Sequence, residues 1–298
     1  MHIPVLLNEV INLYKDYMNN EGYFIDCTLG FGGHSEAILN NFPNIKLIGI
    51  DQDKEALNYA KEKLKKFKNR VTFINDKASN VLMEFKNLKI AGILADIGVS
   101  SYQLDNKNRG FNFESDVLDM RMSLDQKLSA KDVINFYSKE DLEKIIKEYG
   151  ECRIYKRVAK AIISKRPINS NKELTDVLLG VGIKTKKDLA KIFQAIRIEV
   201  NDELNELKKI LNYSEKIAKN ETILGIITFH SLEDRIVKNR FKEWSKKCIC
   251  KDVIRCECGG NNQKGEILTK KPIVASEEEI RKNPRSRSAK LRGFKFKV

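Results

Sequence analysis

No apolar run in this 298-residue chain approaches the roughly 18 residues needed to cross a bilayer. Met1 to Asn20 has neither a basic start nor an uninterrupted apolar core, so no secretory leader is expected. These two absences predict a cytoplasmic protein with no membrane partner. Six cysteines in that compartment are expected to stay reduced, which excludes a disulfide framework. Internal repeats and low-complexity linkers are missing too, which argues against a solenoid or a string of tethered modules. Acidic residues are outnumbered, 41 Asp and Glu against 55 Lys and Arg, for a net charge of +14. That sign favours a polyanionic partner, RNA or DNA, although a solvated helix face such as Lys61 to Lys68 explains part of it without any ligand. The 42% hydrophobic content suffices for a proper core in one large or two modest domains, and disorder is not expected.

The most informative stretch that is present runs from Asp26 to Ser35, DCTLGFGGHS. It follows the apolar run Tyr23, Phe24, Ile25 and leads into a helical pattern, so strand, glycine-rich turn and helix stand there in order. Gly30, Gly32 and Gly33 let the backbone turn tightly and approach a ligand. The next apolar run, Lys46 to Ile50, ends in Asp51, where a carboxylate can accept hydrogen bonds from both hydroxyls of a ribose. A dinucleotide GxGxxG counted from Gly30 would need a sixth-position glycine, and Ser35 stands there instead. An adenosine ligand without a pyrophosphate fits better, and S-adenosylmethionine is the obvious candidate.

Phe24 to Cys27, Lys46 to Asp51, Val71 to Asn75 and Ile93 to Ile97 read as strands separated by amphipathic helices, the pattern of a parallel sheet. From about Asn106 to about Asp202 the chain reads as helix after helix, with Ser129/Asp132 and Ser138/Asp141 spaced as capping boxes and Gly150 closing the second of these helices. Arg153 to Ser164 begins another. A long amphipathic segment, Lys186 to Ala218, then leads to TILGIITF, Thr222 to Phe229, a run suited to the middle of a sheet. Glu266 to Val274 and Leu291 to Val298 read as short strands that pair antiparallel at an edge. The expected fold is α/β, a sheet domain over 1–108 and 204–298 interrupted by an all-helical domain over 109–203.

Ligands in open α/β sheets bind at the strand ends, which singles out His34, Asp51, Asp96 and His230. Asp96 opens a polar, permissive loop with Gly98, Ser100 and Ser101; its bland reading is a turn cap. Ser231 and Asp234 have capping spacing at the start of FHSLEDR, which leaves His230 open to either a structural or a catalytic role. Cys248, Cys250, Cys256 and Cys258 form CxC, five residues, CxC, which suits either a closed structural zinc site or reduced thiols in an exposed loop. The tail NPRSRSAKLR, with Arg285, Arg287, Lys290 and Arg292 before Phe294 and Phe296, suits either RNA phosphates or a charged edge strand protected from aggregation.

Taken together, HIPVLLNEV, DCTLGFGGHS, GIDQD, DIGVSSYQLD, RGFNF with LDMRM, FQAIRIEVNDEL, FHSLEDRIVK and NPRSRSAKLR closely resemble the bacterial 16S rRNA cytosine-N4 methyltransferases, the RsmH or MraW family. The resemblance covers nearly the whole chain. It implies a Rossmann-like S-adenosylmethionine-dependent methyltransferase sheet with a helical insertion, acting on a decoding-centre cytidine of the small ribosomal subunit. Carried over by motif, the family's cofactor contacts fall on Gly32, Gly33, His34, Asp51, Ala78, Asp96 and Gln103.

Cytosine N4 is a poor nucleophile because its lone pair is delocalised into the ring. An acceptor bonded to its amino hydrogens would aim that lone pair at an activated methyl group and help remove the proton. Asp96 is the first choice, with Ser100 or His230 behind it. Many amino-methyltransferases carry an Asn or Asp, two prolines and an aromatic at this strand end; here the run is Asp96, Ile97, Gly98, Val99. Methylation at C5 needs a cysteine nucleophile, and none lies near the fourth or fifth strand end. On its residues alone, the same cofactor site would serve DNA cytosine or a protein side chain equally well. A ribosome-assembly factor that binds rRNA without turnover is the reading from outside enzymology.

Overall fold

The computed structural model describes residues 4–250 and 257–297. The chain divides into two compact units, one formed by 1–98 with 206–298 and the other by 99–205. The division falls at Gly98 and Asn205, and Val99 and Leu104 pack with the helical core.

The first unit is built on one sheet of eight strands: β1 (Gly22–Asp26), β2 (Ile45–Asp51), β3 (Val71–Asn75), β4 (Ile90–Ile97), β5 (Ile223–Thr228), β6 (Gly265–Ile267), β7 (Ile273–Val274) and β8 (Lys290–Phe296). Their order is β3-β2-β1-β4-β5-β8-β6, with β7 also on β8. The first five strands run parallel, and β8 lies antiparallel to β5. Successive side chains of a strand point to opposite faces, so Phe24, Leu47, Leu94 and Ile223 enter one core with Val10, Tyr14, Ile38, Leu57 and Leu64. Their neighbours Ile25, Ile48, Ile93 and Leu224 enter the other with Leu82, Leu207, Leu211, Phe241 and Trp244. Helices cover both faces, which is why β4 and β5 read as unbroken apolar runs.

The antiparallel pairing expected at the sheet edge is present, with Glu266–Val274 divided into β6 and β7, both on β8. β8 pairs with β5 on one side and with β6 and β7 on the other, so it is an interior strand. Phe294 and Phe296 are fully buried against Trp244 for the same reason. The long segment predicted over Lys186 to Ala218 is two helices, Lys186–Asn201 and Glu203–Ile217. Between them Asp202 adopts a left-handed conformation with φ 54°, which helical backbone cannot pass through.

The helical unit has a core of its own, including Phe111, Val133, Ile146, Val158, Leu174, Ile192 and Ile196. Both serines cap where the spacing places them: Ser129 forms a capping box with Asp132 at the start of Ala130–Phe136, whereas Ser138 accepts from the Asp141 amide without the reciprocal bond. The irregular stretch carrying RGFNF and LDMRM is held by buried polar groups. Asn171 Nδ2 donates to the carbonyls of Gly110 and Asn112, Arg109 donates to those of Arg121 and Met122, and Asn201 accepts from the Met122 amide.

Candidate functional site

Strand β1 has β2 on one side and β4 on the other, and the chain leaves β1 toward β2 but β4 toward β5, in opposite directions. Open α/β sheets bind ligands at such a switch point. The glycine loop starts there, tied to both neighbours: the Cys27 amide donates to the Leu94 carbonyl and the Leu29 amide to that of Ile50, each at 2.8 Å. Gly32 stands at φ 72° as the residue before helix Gly33–Asn41, a left-handed position that suits glycine. Gly33 is required for another reason. A Cβ there would lie 2.3 Å from Pro4 Cγ, so its small size lets the N-terminal segment lie against the loop.

Three carboxylates converge on this end of the sheet. Asp26 is buried, accepts from Ser35 Oγ at 2.7 Å and from the Thr28 amide at 3.2 Å, and has its pKa pushed up to about 6 by burial. Ser35 thus does here what the missing sixth glycine could not: it satisfies a buried acid. Asp51 accepts from the Gly30 amide at 2.6 Å and from the Asp53 amide at 2.8 Å, one bond to each oxygen. Its carboxyl is raised to about 6, by burial first and by Asp53 and Asp26 after it. A carboxylate has about four lone-pair sites, so Asp51 both braces the glycine turn and keeps acceptor capacity for hydroxyls.

Asp96 is the most perturbed of the three. Its amide donates to Thr28 Oγ1 at 2.6 Å, which fixes the β4 end against the glycine loop. One carboxyl oxygen, Oδ2, lies 3.9 Å from His34 Nδ1. The other, Oδ1, is buried with no hydrogen-bond partner. Burial, then the charges of Asp26 and Glu233, push the Asp96 pKa up to about 7. An unsatisfied buried acceptor costs about 1–3 kcal/mol, and such atoms at strand ends mark where a donor is meant to come. Asp26 was not singled out from the sequence, although β1 ends on it just as β2 ends on Asp51.

This is an acceptor-rich, anionic floor beside a glycine turn, suited to a cationic ligand with hydroxyls. The MraW methylase family matches residues 1–297. The chain belongs to that family. It is 73% identical over 297 residues to the ribosomal RNA small subunit methyltransferase H of Nautilia profundicola, covering 99% of this chain and 97% of that one. The proteins of the same description from Aliarcobacter butzleri and Campylobacter jejuni are 57% and 53% identical, again over 99% of this chain, and 98% and 97% of theirs.

Other candidate residues of this MraW-family chain are placed as follows. His34 is buried and its Nε2 lies 2.8 Å from the Val5 carbonyl, so the ring joins the N-terminal segment to the Asp96 end. Ala78 is buried at the start of a short helix just past β3; its neighbour Ser79 is held by Glu206, through its amide at 2.9 Å and its hydroxyl at 2.6 Å. Ser100 and Gln103 belong to the helical unit and cap each other: the Gln103 amide donates to Ser100 Oγ, and the Ser100 amide to Gln103 Oε1.

The capping assignment in FHSLEDR is corrected. His230, not Ser231, is the residue before helix Ser231–Trp244, and Glu233, not Asp234, returns to it. The Glu233 amide approaches His230 Nδ1 at 3.4 Å, while His230 Nε2 lies 2.8 Å from Glu233 Oε1. Both ring nitrogens thus face Glu233, an arrangement that positions the ring as a cap. Asp234 is freed for a partner 58 residues away: Arg292 reaches it at 2.7 and 3.2 Å, and Lys290 at 3.6 Å. Of the four basic residues in the tail, Arg292 is therefore buried and Lys290 is paired at the surface, while Arg285 and Arg287 are exposed.

The sulfurs of Cys248, Cys250 and Cys258 lie within 4.8 Å of one another. Cys256 is outside the described residues.

Proposed function

We propose that this MraW-family methylase transfers a methyl group from S-adenosylmethionine to N4 of a cytidine in the decoding region of 16S rRNA, with the small ribosomal subunit or its RNA as partner. The observation that carries the reading is the unpartnered, buried Asp96 Oδ1 at the β1/β4 switch point. The residues present fit the cofactor: its sulfonium and ammonium are cations, and three carboxylates make this end of the sheet acidic. When bound, S-adenosylmethionine supplies an already electrophilic methyl group. What remains for the chain is to bind, orient and take a proton.

Asp51 receives the ribose hydroxyls, with Gly32, Gly33 and Ala78 giving close backbone approach around the adenosine, and Gln103 completing the set. His34 holds the N-terminal segment against the site. Asp96 accepts a hydrogen bond from the N4 amino group, which turns the amine lone pair away from the ring and provides a destination for the proton. A pKa pushed up to about 7 suits that task, since the group is ionised often enough to accept and basic enough to hold the proton. Ser100 and His230 are the alternative candidates for that role, and His230 also caps its helix with Glu233.

The cytidine must leave its stacking neighbours to reach Asp96. We assign recognition of the surrounding RNA to the helical unit, which follows directly on the Asp96 strand in the chain and carries an aromatic, Phe136, that is 78% exposed. Most of the excess positive charge lies on the sheet unit, which attracts phosphates of any sequence. The test is nucleoside analysis of small-subunit rRNA after incubation with the protein and S-adenosylmethionine. N4-methylcytidine at a single position is expected; another methylated nucleoside, or none from either naked rRNA or assembled subunits, refutes the reading.

A further inference from the structure

We propose that Cys248, Cys250 and Cys258 hold one structural zinc ion, which fastens the segment after helix Ser231–Trp244. Cys248 and Cys258 Sγ are 3.7 Å apart. That is far from a disulfide's roughly 2.05 Å. It matches the edge of a tetrahedron around zinc, where Zn–S bonds of about 2.3 Å put sulfurs about 3.8 Å apart.

The backbone is already arranged for thiolates. The Ile249 amide points at Cys258 Sγ at 3.5 Å and the Glu257 amide at Cys250 Sγ at 3.4 Å. Amide donors stabilise the deprotonated sulfur that a metal requires. The CxC spacing makes this work, since the amide between two ligands reaches the sulfur on the facing segment.

The loop also needs a fastener. Its base is tied by the Lys264 amide to the Trp244 carbonyl at 2.7 Å and by the Asn262 amide to that of Lys247 at 3.0 Å. Above that base, Ile249 is 59% exposed and Cys248 is exposed, while Cys250 and Cys258 are half-buried. Three cysteine sulfurs gathered within 4.8 Å of one another are what metal ligation accounts for. Thiolates select zinc over magnesium or calcium. The ion is structural, because the 14-residue helix Ser231–Trp244 separates the cluster from His230 by about 20 Å of helix.

The experiment uses the full chain purified anaerobically without chelator or metal-affinity resin. Mass spectrometry should find about one zinc per chain, retained in the C27S and C152S variants and lost in C248S and C258S, with circular dichroism confirming that each variant is folded. Wild-type protein refilled with Co2+ should show tetrahedral ligand-field bands and thiolate-to-metal charge transfer, whose intensity counts the sulfur ligands; this arm needs no variant. Zinc removal should speed hydrogen exchange around residues 245–250 and 257–264 selectively. Metal-free protein that also fails to take up Zn2+ or Co2+, metal retained after C248S/C258S, or a Cys248–Cys258 disulfide in the anaerobic sample would overturn the proposal.

Discussion

Replacing Asp96 by Asn should make the protein more stable and less active, and the gain should depend on pH. Asn is nearly isosteric and neutral, so it mimics the protonated carboxyl. Burial and the neighbouring charges of Asp26 and Glu233 raise this carboxyl from 3.8 to about 7. At about 1.4 kcal/mol per pKa unit, ionising it in the folded protein costs about 4 kcal/mol more than in the unfolded chain. Because the folded pKa lies above the unfolded one, the stability contributed by the protonated form is complete below about pH 4. It is lost as pH rises through about 7. Between pH 5 and pH 7 the wild-type protein should therefore lose about 2 kcal/mol that D96N keeps, on the order of 4 °C in Tm for a chain of this size. Asp26 and Asp51 titrate in both proteins and largely cancel from the comparison. The assay is thermal unfolding of both cofactor-free proteins at pH 5, 6, 7 and 8, alongside single-turnover methyl transfer at each pH. A pH-independent difference in Tm would show that Asp96 is not held protonated. Full turnover by D96N would remove it from the chemistry.

Asp51→Ala should weaken S-adenosylmethionine binding by about 1.5–3 kcal/mol, read by calorimetry; unchanged affinity would leave Asp51 only its role of bracing Gly30. Arg292→Met should destabilise the protein by about 3 kcal/mol, since it strands Asp234 with Lys290 as its remaining partner, yet leave RNA affinity unchanged. A loss of RNA binding in folded R292M would return this arginine to the phosphate-binding surface. Phe136→Ala should cost about 1–3 kcal/mol of RNA affinity, the value of one stacked base, with Tm and cofactor binding untouched. Equal RNA affinity for the two proteins in filter binding at matched salt would deny the helical unit this contact.

What local chemistry alone decides was legible in the residues. The order of strand, glycine turn, helix and acid over Tyr23 to Asp51 depends on near neighbours, and so do the Ser129 and Ser138 caps. The unbroken apolar runs of β4 and β5 likewise announce burial on both faces before any packing is known. The tertiary structure decided the questions that turn on competition between distant partners. Ser231 and His230 both have capping spacing, and His230 prevails because Asp234 is drawn to Arg292 across 58 residues. Arg292 looked like a surface cation until β8 entered the sheet between β5 and β6 and buried it. Asp202 breaks a segment whose amphipathic pattern runs on past it, since hydrophobic period records which face is buried and not where the axis turns. Most of all, the raised pKa of Asp96 has no local cause. It requires Asp26 and Glu233, from β1 and from the helix after β5, to be brought against one strand end from which water is largely excluded.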